Sequence, residues 1–307
     1  MGTVHDLLLA HGKQGVLTLD VRREVIEAAA SYLGDEESGI GFLYSGWCQA
    51  ALPHRKLRDD QVWEVTSEQV RLIVEPGLKP SRGFDGPLEH VGVPYGARAR
   101  LILFYLQAEA LRTKCPDVRL GNSMRNWLGR MGVPIGGTSV KAIREQAERI
   151  ARCRLTFHVR RGTSMGLVNQ SIVEAAMFEP SEPGQGSMFA ERAKLSEGFF
   201  QQLQKHPVPL EEAAIKALAN NSQALDIYAW LAYRLHSLSE PRPITWKALK
   251  GQFGLGIVAM NNFRRLFLPN LQLAMAVYPD AKVDVSGGGV VLHPSRSPVS
   301  PHIKAIS

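Results

Sequence analysis

The stretch Val133-Pro-Ile-Gly-Gly-Thr-Ser-Val-Lys-Ala-Ile-Arg-Glu-Gln-Ala-Glu-Arg-Ile-Ala-Arg152 runs straight into Cys153-Arg-Leu-Thr-Phe-His-Val-Arg-Arg-Gly162. At helical spacing Val140, Ile143, Ala147, Ile150 and Ala151 share one side. Lys141, Glu145, Arg149 and Arg152 are left on the other. Two glycines break the chain in front, Thr138 and Ser139 are capping candidates, and an alternating strand follows. The pattern predicts a short basic helix held outward, as in a helix-turn-helix.

Working outward, Gly96 to Thr113 reads as a helix with Leu101, Phe104, Tyr105, Ala108 and Leu111 inward. A short strand at Val118 to Leu120 and a second helix at Ser123 to Met131 lead to the Gly132-Val-Pro-Ile-Gly-Gly137 turn. Behind the basic helix come a strand at Arg154 to Val159, a turn at Arg160-Arg-Gly-Thr-Ser-Met-Gly166, and a strand at Leu167 to Met177. That order is a winged helix, with Arg160 and Arg161 at the wing tip, where they would touch the DNA backbone or minor groove.

The same order returns about 120 residues later, too long a period for a solenoid. Ser222 to Leu238 repeats the first helix, Pro243-Ile-Thr the strand, Trp246 to Phe253 the second helix, and Gly254-Leu-Gly256 the turn. The helix Val258 to Val277 buries Met260, Phe263, Phe267 and Leu271, turns Asn261, Asn262 and Arg265 away, and should kink at Pro269. Lys282 to Val285 and Val290 to His293 close the copy. Trp127 and Trp246 occupy inward positions and read as core.

The predicted fold class is therefore α+β, two tandem winged-helix domains rich in helix with small antiparallel wings. The predicted layout is a loosely held N-terminus over 1–19 and a first domain over 20–180, which takes in an amphipathic helix at Asp20 to Leu33 and a hairpin at Val62 to Val74. A long Pro- and Gly-rich loop spans Pro76 to Pro94. A linker and helical connector follow over 181–220, after a boundary at Phe178 to Ser187, then the second domain over 221–294 and a Pro-rich tail over 295–307.

The chain has 307 residues and a formal charge of +7, which favours an anionic partner over a basic or neutral one. Cys48, Cys115 and Cys153 show no paired spacing, which fits a reducing cytoplasm, and neither a membrane span nor a secretory leader is visible. Between Lys141 and Arg161 the cations Lys141, Arg144, Arg149, Arg152, Arg154, Arg160 and Arg161 stand against Glu145 and Glu148. Such a surplus suits phosphates. In the second copy Asn261, Asn262, Arg264 and Arg265 are the residue types that pair with adenine and guanine. Arg125 and Lys250, on the second helices, complete the candidate DNA-binding set. No cofactor or metal is expected: the glycine turn lacks the G-K-[ST] of a phosphate loop, Asp35, Glu36 and Glu37 are merely consecutive, and no nucleophile stands with a base. His158, on a strand, reads as structural.

Three stretches also carry a family likeness: Ile40-Gly-Phe-Leu-Tyr-Ser-Gly-Trp-Cys-Gln-Ala-Ala-Leu-Pro-His54, Gly92-Val-Pro-Tyr-Gly-Ala-Arg-Ala-Arg-Leu-Ile-Leu-Phe-Tyr-Leu-Gln107 and Arg144-Glu-Gln-Ala-Glu-Arg-Ile-Ala-Arg-Cys-Arg-Leu-Thr-Phe157. They resemble plasmid-encoded replication initiators of the RepA type, over most of the chain from about Asp20 onward. The resemblance implies a protein that binds repeated double-stranded sites at a plasmid origin, helps open an AT-rich segment, and brings in host initiator and replicative helicase. It further implies a homodimer that represses its own gene. Two readings of other classes remain open: a transcription repressor or partition protein built from the same modules, and a nuclease or relaxase, for which Tyr95 and Tyr105 are candidates by residue type alone.

Overall fold

The computed structural model describes residues 4–35, 39–81, 85–134, 136–161, 164–177 and 192–299. It is an α+β protein of helices and small antiparallel sheets. The chain forms two compact units and passes between them twice, so that Phe42–Pro207 makes one and Met1–Gly41 with Val208–Ser307 makes the other.

This partition corrects the layout read from sequence order. The helix Arg23–Leu33, expected in the first domain, packs on the helices Glu212–Ala217 and Met260–Ala276, where Val25, Ile26 and Ala29 are buried. From Val4 onward the N-terminal segment is not loosely held. Val4–Val16 is helical, bent at Gly12, with Val16 fully buried and His5 Nε2 donating to the Ala276 carbonyl at 2.8 Å. The boundary expected at Phe178 to Ser187 lies outside the described residues, but the strands on either side of it pair with each other and so belong to one unit. The change of unit falls instead at Pro207/Val208, inside the predicted connector.

The Phe42–Pro207 unit is built on the helix Gly96–Thr113. Its sequence shows one apolar side, yet it is buried nearly all round from Ala99 to Gln107 because two polar side chains serve the neighbouring backbone. Arg100 donates to the carbonyls of Leu52, Pro53 and Gly96, and Gln107 accepts from the Tyr44 amide while donating to Leu103. Buried carbonyls left without donors would each be costly, so these two residues close the core as firmly as the leucines do.

A four-stranded antiparallel sheet lies in the same unit, in the order Trp63–Thr66, Val70–Glu75, Arg154–Arg161, Ser164–Ser171. Val70, Leu72 and Val74 alternate inward and stand opposite Val159, Phe157 and Leu155. The predicted hairpin and the strand behind the basic helix are thus one sheet. The strand predicted at Leu167 to Met177 divides at the buried Ile172, whose carbonyl accepts from the Ser196 amide. Its second part, Val173–Met177, joins a three-stranded sheet with Arg192–Leu195 in the middle and Asp117–Arg119 at the far edge. Arg160 and Arg161 therefore stand at the tip of an inserted hairpin, not on the hairpin that closes the three-stranded sheet.

The other unit contains the helices Ser222–Leu235, Trp246–Phe253 and Met260–Ala276 around a second three-stranded sheet. There Arg242–Thr245 pairs with Gly289–Leu292, which pairs with Val283–Val285. Both small sheets share one strand order: the strand after the first helix lies against the last strand, whose other neighbour is the strand before it; in the Phe42–Pro207 unit the hairpin of Arg154–Arg161 and Ser164–Ser171 is inserted between the third helix and that strand. Trp246, Phe253, Phe263 and Phe267 form the aromatic centre of this unit, with centroids 5.3 to 6.4 Å apart. The third helix runs as one element through Pro269. Among the described residues no helix is long and apolar enough to cross a membrane.

Cys48 and Cys153 are each 1% exposed, and burial pushes the Cys153 thiol up to about 12, whereas Cys115 is half-buried. A thiol reagent applied to the native chain at about pH 8 should therefore modify Cys115 alone, and all three cysteines once the chain is denatured. Fast labelling of native Cys153 would contradict the packing of the third helix against its sheet.

Candidate nucleic-acid interface

The helix Gly137–Arg152 has two dissimilar halves. Gly137 begins it at φ +49, a left-handed turn residue, and Gly136 is its uncapped N-cap. Thr138 and Ser139 do not cap it: they lie within the first turn, Thr138 exposed and Ser139 Oγ buried without a hydrogen-bond partner. Lys141 and Arg144 are exposed in this half, while Ile143 is buried.

In the C-terminal half the charged face is covered. Arg149, expected to point outward, is 3% exposed. Its Nη2 lies 2.9 Å from both Asp59 Oδ1 and Glu145 Oε1, its Nη1 donates to the Val93 carbonyl at 3.2 Å, and its guanidinium stacks on the Tyr95 ring at 5.3 Å. Glu145 is held further by Lys56 at 3.8 Å and by the Tyr95 hydroxyl at 3.4 Å. Burial, and after it the Glu145 charge, raises Tyr95 above its ordinary range, so this hydroxyl stays protonated and donates. Buried Gln146 accepts from the Tyr95 amide at 2.8 Å. Glu148 pairs with Lys79 at 3.0 Å and with Arg152 at 3.4 Å, and Arg152 also donates to the Leu78 carbonyl.

The cover is the segment expected as a connecting loop. Gly77–Pro80 and Leu88–Gly92 form a hairpin against the helix, and glycine is what permits the approach. A Cβ at Gly77 would stand 2.2 Å from the Arg152 carbonyl oxygen, and one at Gly92, where φ is +83, 1.9 Å from Arg149 Nη1. Arg149 is thus corrected from a candidate DNA contact to a buried ion-pair partner, Glu145 is committed to it though partly exposed, and Arg152 is partly committed. Sequence reasoning missed Lys56, Asp59 and Lys79, and the part Tyr95 plays here, because each is distant in sequence; the glycines at 77 and 92 were the available signal.

In the other unit the helix Met260–Ala276 leaves Asn261, Asn262 and Arg265 exposed. Arg264 is drawn inward: its guanidinium lies over Trp246 at 5.0 Å and donates to the Gly287 carbonyl at 3.3 Å. The same carbonyl accepts from Trp246 Nε1 at 3.1 Å, which fastens the tip of the small sheet to the second and third helices. The turns before the third helices also match, since Gly132 at φ +69 and Gly256 at φ +84 each supply a left-handed residue. Arg125 is exposed on the second helix of its unit and Lys250 half-buried on its counterpart. Arg160 is exposed beside the hairpin tip, and the Arg161 side chain lies outside the described residues.

Tyr105 is 4% exposed and donates to the Arg119 carbonyl at 2.8 Å, with burial pushing it up to about 12. Among the described residues no three His, Cys, Asp or Glu side chains converge as a metal site requires. What the surface offers is two helix N-terminal halves, one bearing cations and the other carboxamides with a guanidinium, a set suited to phosphates and base edges.

Replacing Arg149 with Met should cost about 2–3 kcal/mol in urea unfolding, since the Val93 carbonyl loses a side-chain donor and two carboxylates lose their strongest one, while Lys141→Ala should stay within about 0.5 kcal/mol. Gly92→Ala should destabilise comparably, and the double variant should lose less than the sum of the two.

The family model for plasmid-encoded RepA protein matches residues 93–247, which spans the helices Gly96–Thr113, Gly121–Arg130 and Gly137–Arg152 of one unit and Ser222–Leu235 of the other. In structure, the chain is similar to a selenomethionine form of domain 2 and domain 3 of RctB, at 13% identity and a TM-score of 0.52, covering 84% of this chain and 99% of that one. It is also similar to a second crystal structure of RctB domains 2–3, at 14% identity and a TM-score of 0.48, covering 80% of this chain and 94% of that one. No curated protein matches. With half of its length matched by that one model, the chain belongs to the family of plasmid-encoded RepA proteins.

Proposed function

We propose that this chain initiates plasmid replication by binding repeated double-stranded sites at the origin through two winged-helix modules, one in each unit. The observation that carries the reading is the shared order of the two small sheets, each framing a third helix whose first turns are exposed. A major groove admits such a helix, and its N-terminal residues are the ones that reach base edges. Opening of the origin, recruitment of a host initiator and helicase, dimerisation and self-repression belong to the proposal through the family. In this reading the protein is a binder, not an enzyme, needs no cofactor, and works in the bacterial cytoplasm.

The two modules have different work. Lys141 and Arg144, with Arg125 and Arg160 in the same unit, offer cations without base-reading carboxamides, which suits phosphates. Asn261, Asn262 and Arg265 offer paired donors and acceptors, which suits bases. Tethering the two raises the effective concentration of the second once the first has docked.

Lys141→Ala and Arg160→Ala should weaken binding to specific and random duplexes alike and reduce the salt slope by about one each. Asn262→Ala and Arg265→Ala should instead relax base preference, each by about 1–3 kcal/mol at one position. Competition titrations over a salt series separate the two behaviours. The role itself is tested by supplying the protein to an origin plasmid in a host with no other initiator. Replication should be supported by the natural chain and lost with Lys141→Glu and Arg144→Glu together; a repressor or partition protein would support none.

A further inference from the structure

Val258 is 94% exposed, more than any other large hydrophobic residue among those described. It lies two residues ahead of the helix Met260–Ala276, just after the left-handed turn at Gly256. Asn261, Asn262 and Arg265 follow within the first turns of that helix, all three exposed, and Val258 stands directly ahead of its extended N-cap Ala259. On the corresponding helix of the other unit Thr138, Lys141 and Arg144 are exposed.

We infer that Val258 reads thymine, its methyl groups packing on a thymine 5-methyl in the major groove beside an adenine held by Asn261 or Asn262. The inference rests on the proposed DNA-reading role of this helix. Thymine alone among the four bases presents a methyl group in the major groove, and a carboxamide pairs with adenine through its N7 and N6. An aliphatic side chain has nothing else to recognise on a base edge. A protein partner fits this helix end poorly, because a purely apolar contact on Val258 would leave the exposed Asn261, Asn262 and Arg265 side chains just after it unanswered. The base edges that flank a thymine satisfy those groups and supply the apolar contact together.

The test uses the full chain, natural and Val258→Ala, on a duplex selected by the natural protein from a random pool. Each thymine in the duplex is replaced in turn by deoxyuridine, which removes only the methyl group. At one thymine the natural protein should bind the deoxyuridine duplex about three- to five-fold more weakly, the effect of one buried methyl. Val258→Ala should bind the unmodified duplex more weakly by at least as much and be indifferent to that replacement. Equal sensitivity of both proteins at every thymine, or none in either, would overturn the inference. Asn261→Ala and Asn262→Ala tell the two levels apart: relaxed preference in either leaves the helix a reader without a thymine contact, whereas unchanged preference in both, or enrichment of no duplex at all, defeats the reader and this inference with it.

Discussion

The burial of Arg149 is the interaction on which the exposed surface of the Phe42–Pro207 unit depends. One guanidinium meets two carboxylates, a backbone carbonyl and an aromatic face in a place almost closed to water. A buried cation is tolerable only when each donor direction is answered, and here the answers come from three stretches of chain well apart in sequence. The result is a fixed anchor for the C-terminal half of the helix. With that half committed, its first turns alone remain available to a ligand, so the ion pair decides which cations can act.

The corresponding helix of the other unit is anchored by different means. Phe263, Phe267 and Leu271 are buried in an aromatic centre, and Arg264 is spent on Trp246 and the Gly287 carbonyl. One helix is held by charge and a covering hairpin, the other by rings, yet both end with the same exposed portion and the same order of strands beside it. Convergence on that geometry from unlike interiors is the strongest support for a pair of like modules.

Much of the fold was legible in sequence. The helices Trp246–Phe253 and Met260–Ala276 follow from apolar spacing because each buries a regular face, and Gly96–Thr113 follows too, although Arg100 and Gln107 let it be buried nearly all round. Three things were not. The hairpin at Gly77–Gly92 is rich in glycine and proline, which reads as loop, because close backbone approach and looping demand the same residues. Strand pairing across the inserted hairpin leaves no local mark, so the wing was expected at Arg160 when the three-stranded sheet is closed by Arg192–Leu195. The helix at Arg23–Leu33 shows its buried stripe plainly, but which core receives it is a long-range fact. Among site residues the exposed set of Lys141, Arg144, Asn261, Asn262 and Arg265 could be found by helical phase, whereas Glu145 and Arg149 could not be excluded until their distant partners were seen.

The central claim, two modules each presenting the first turns of one helix to its own stretch of major groove, is tested most directly by hydroxyl-radical footprinting of the full chain on its selected duplex. The account predicts two separate protected segments, with Asn262→Ala plus Arg265→Ala weakening one and Lys141→Glu plus Arg144→Glu the other. A single short protected segment that both pairs of changes weaken alike would contradict it.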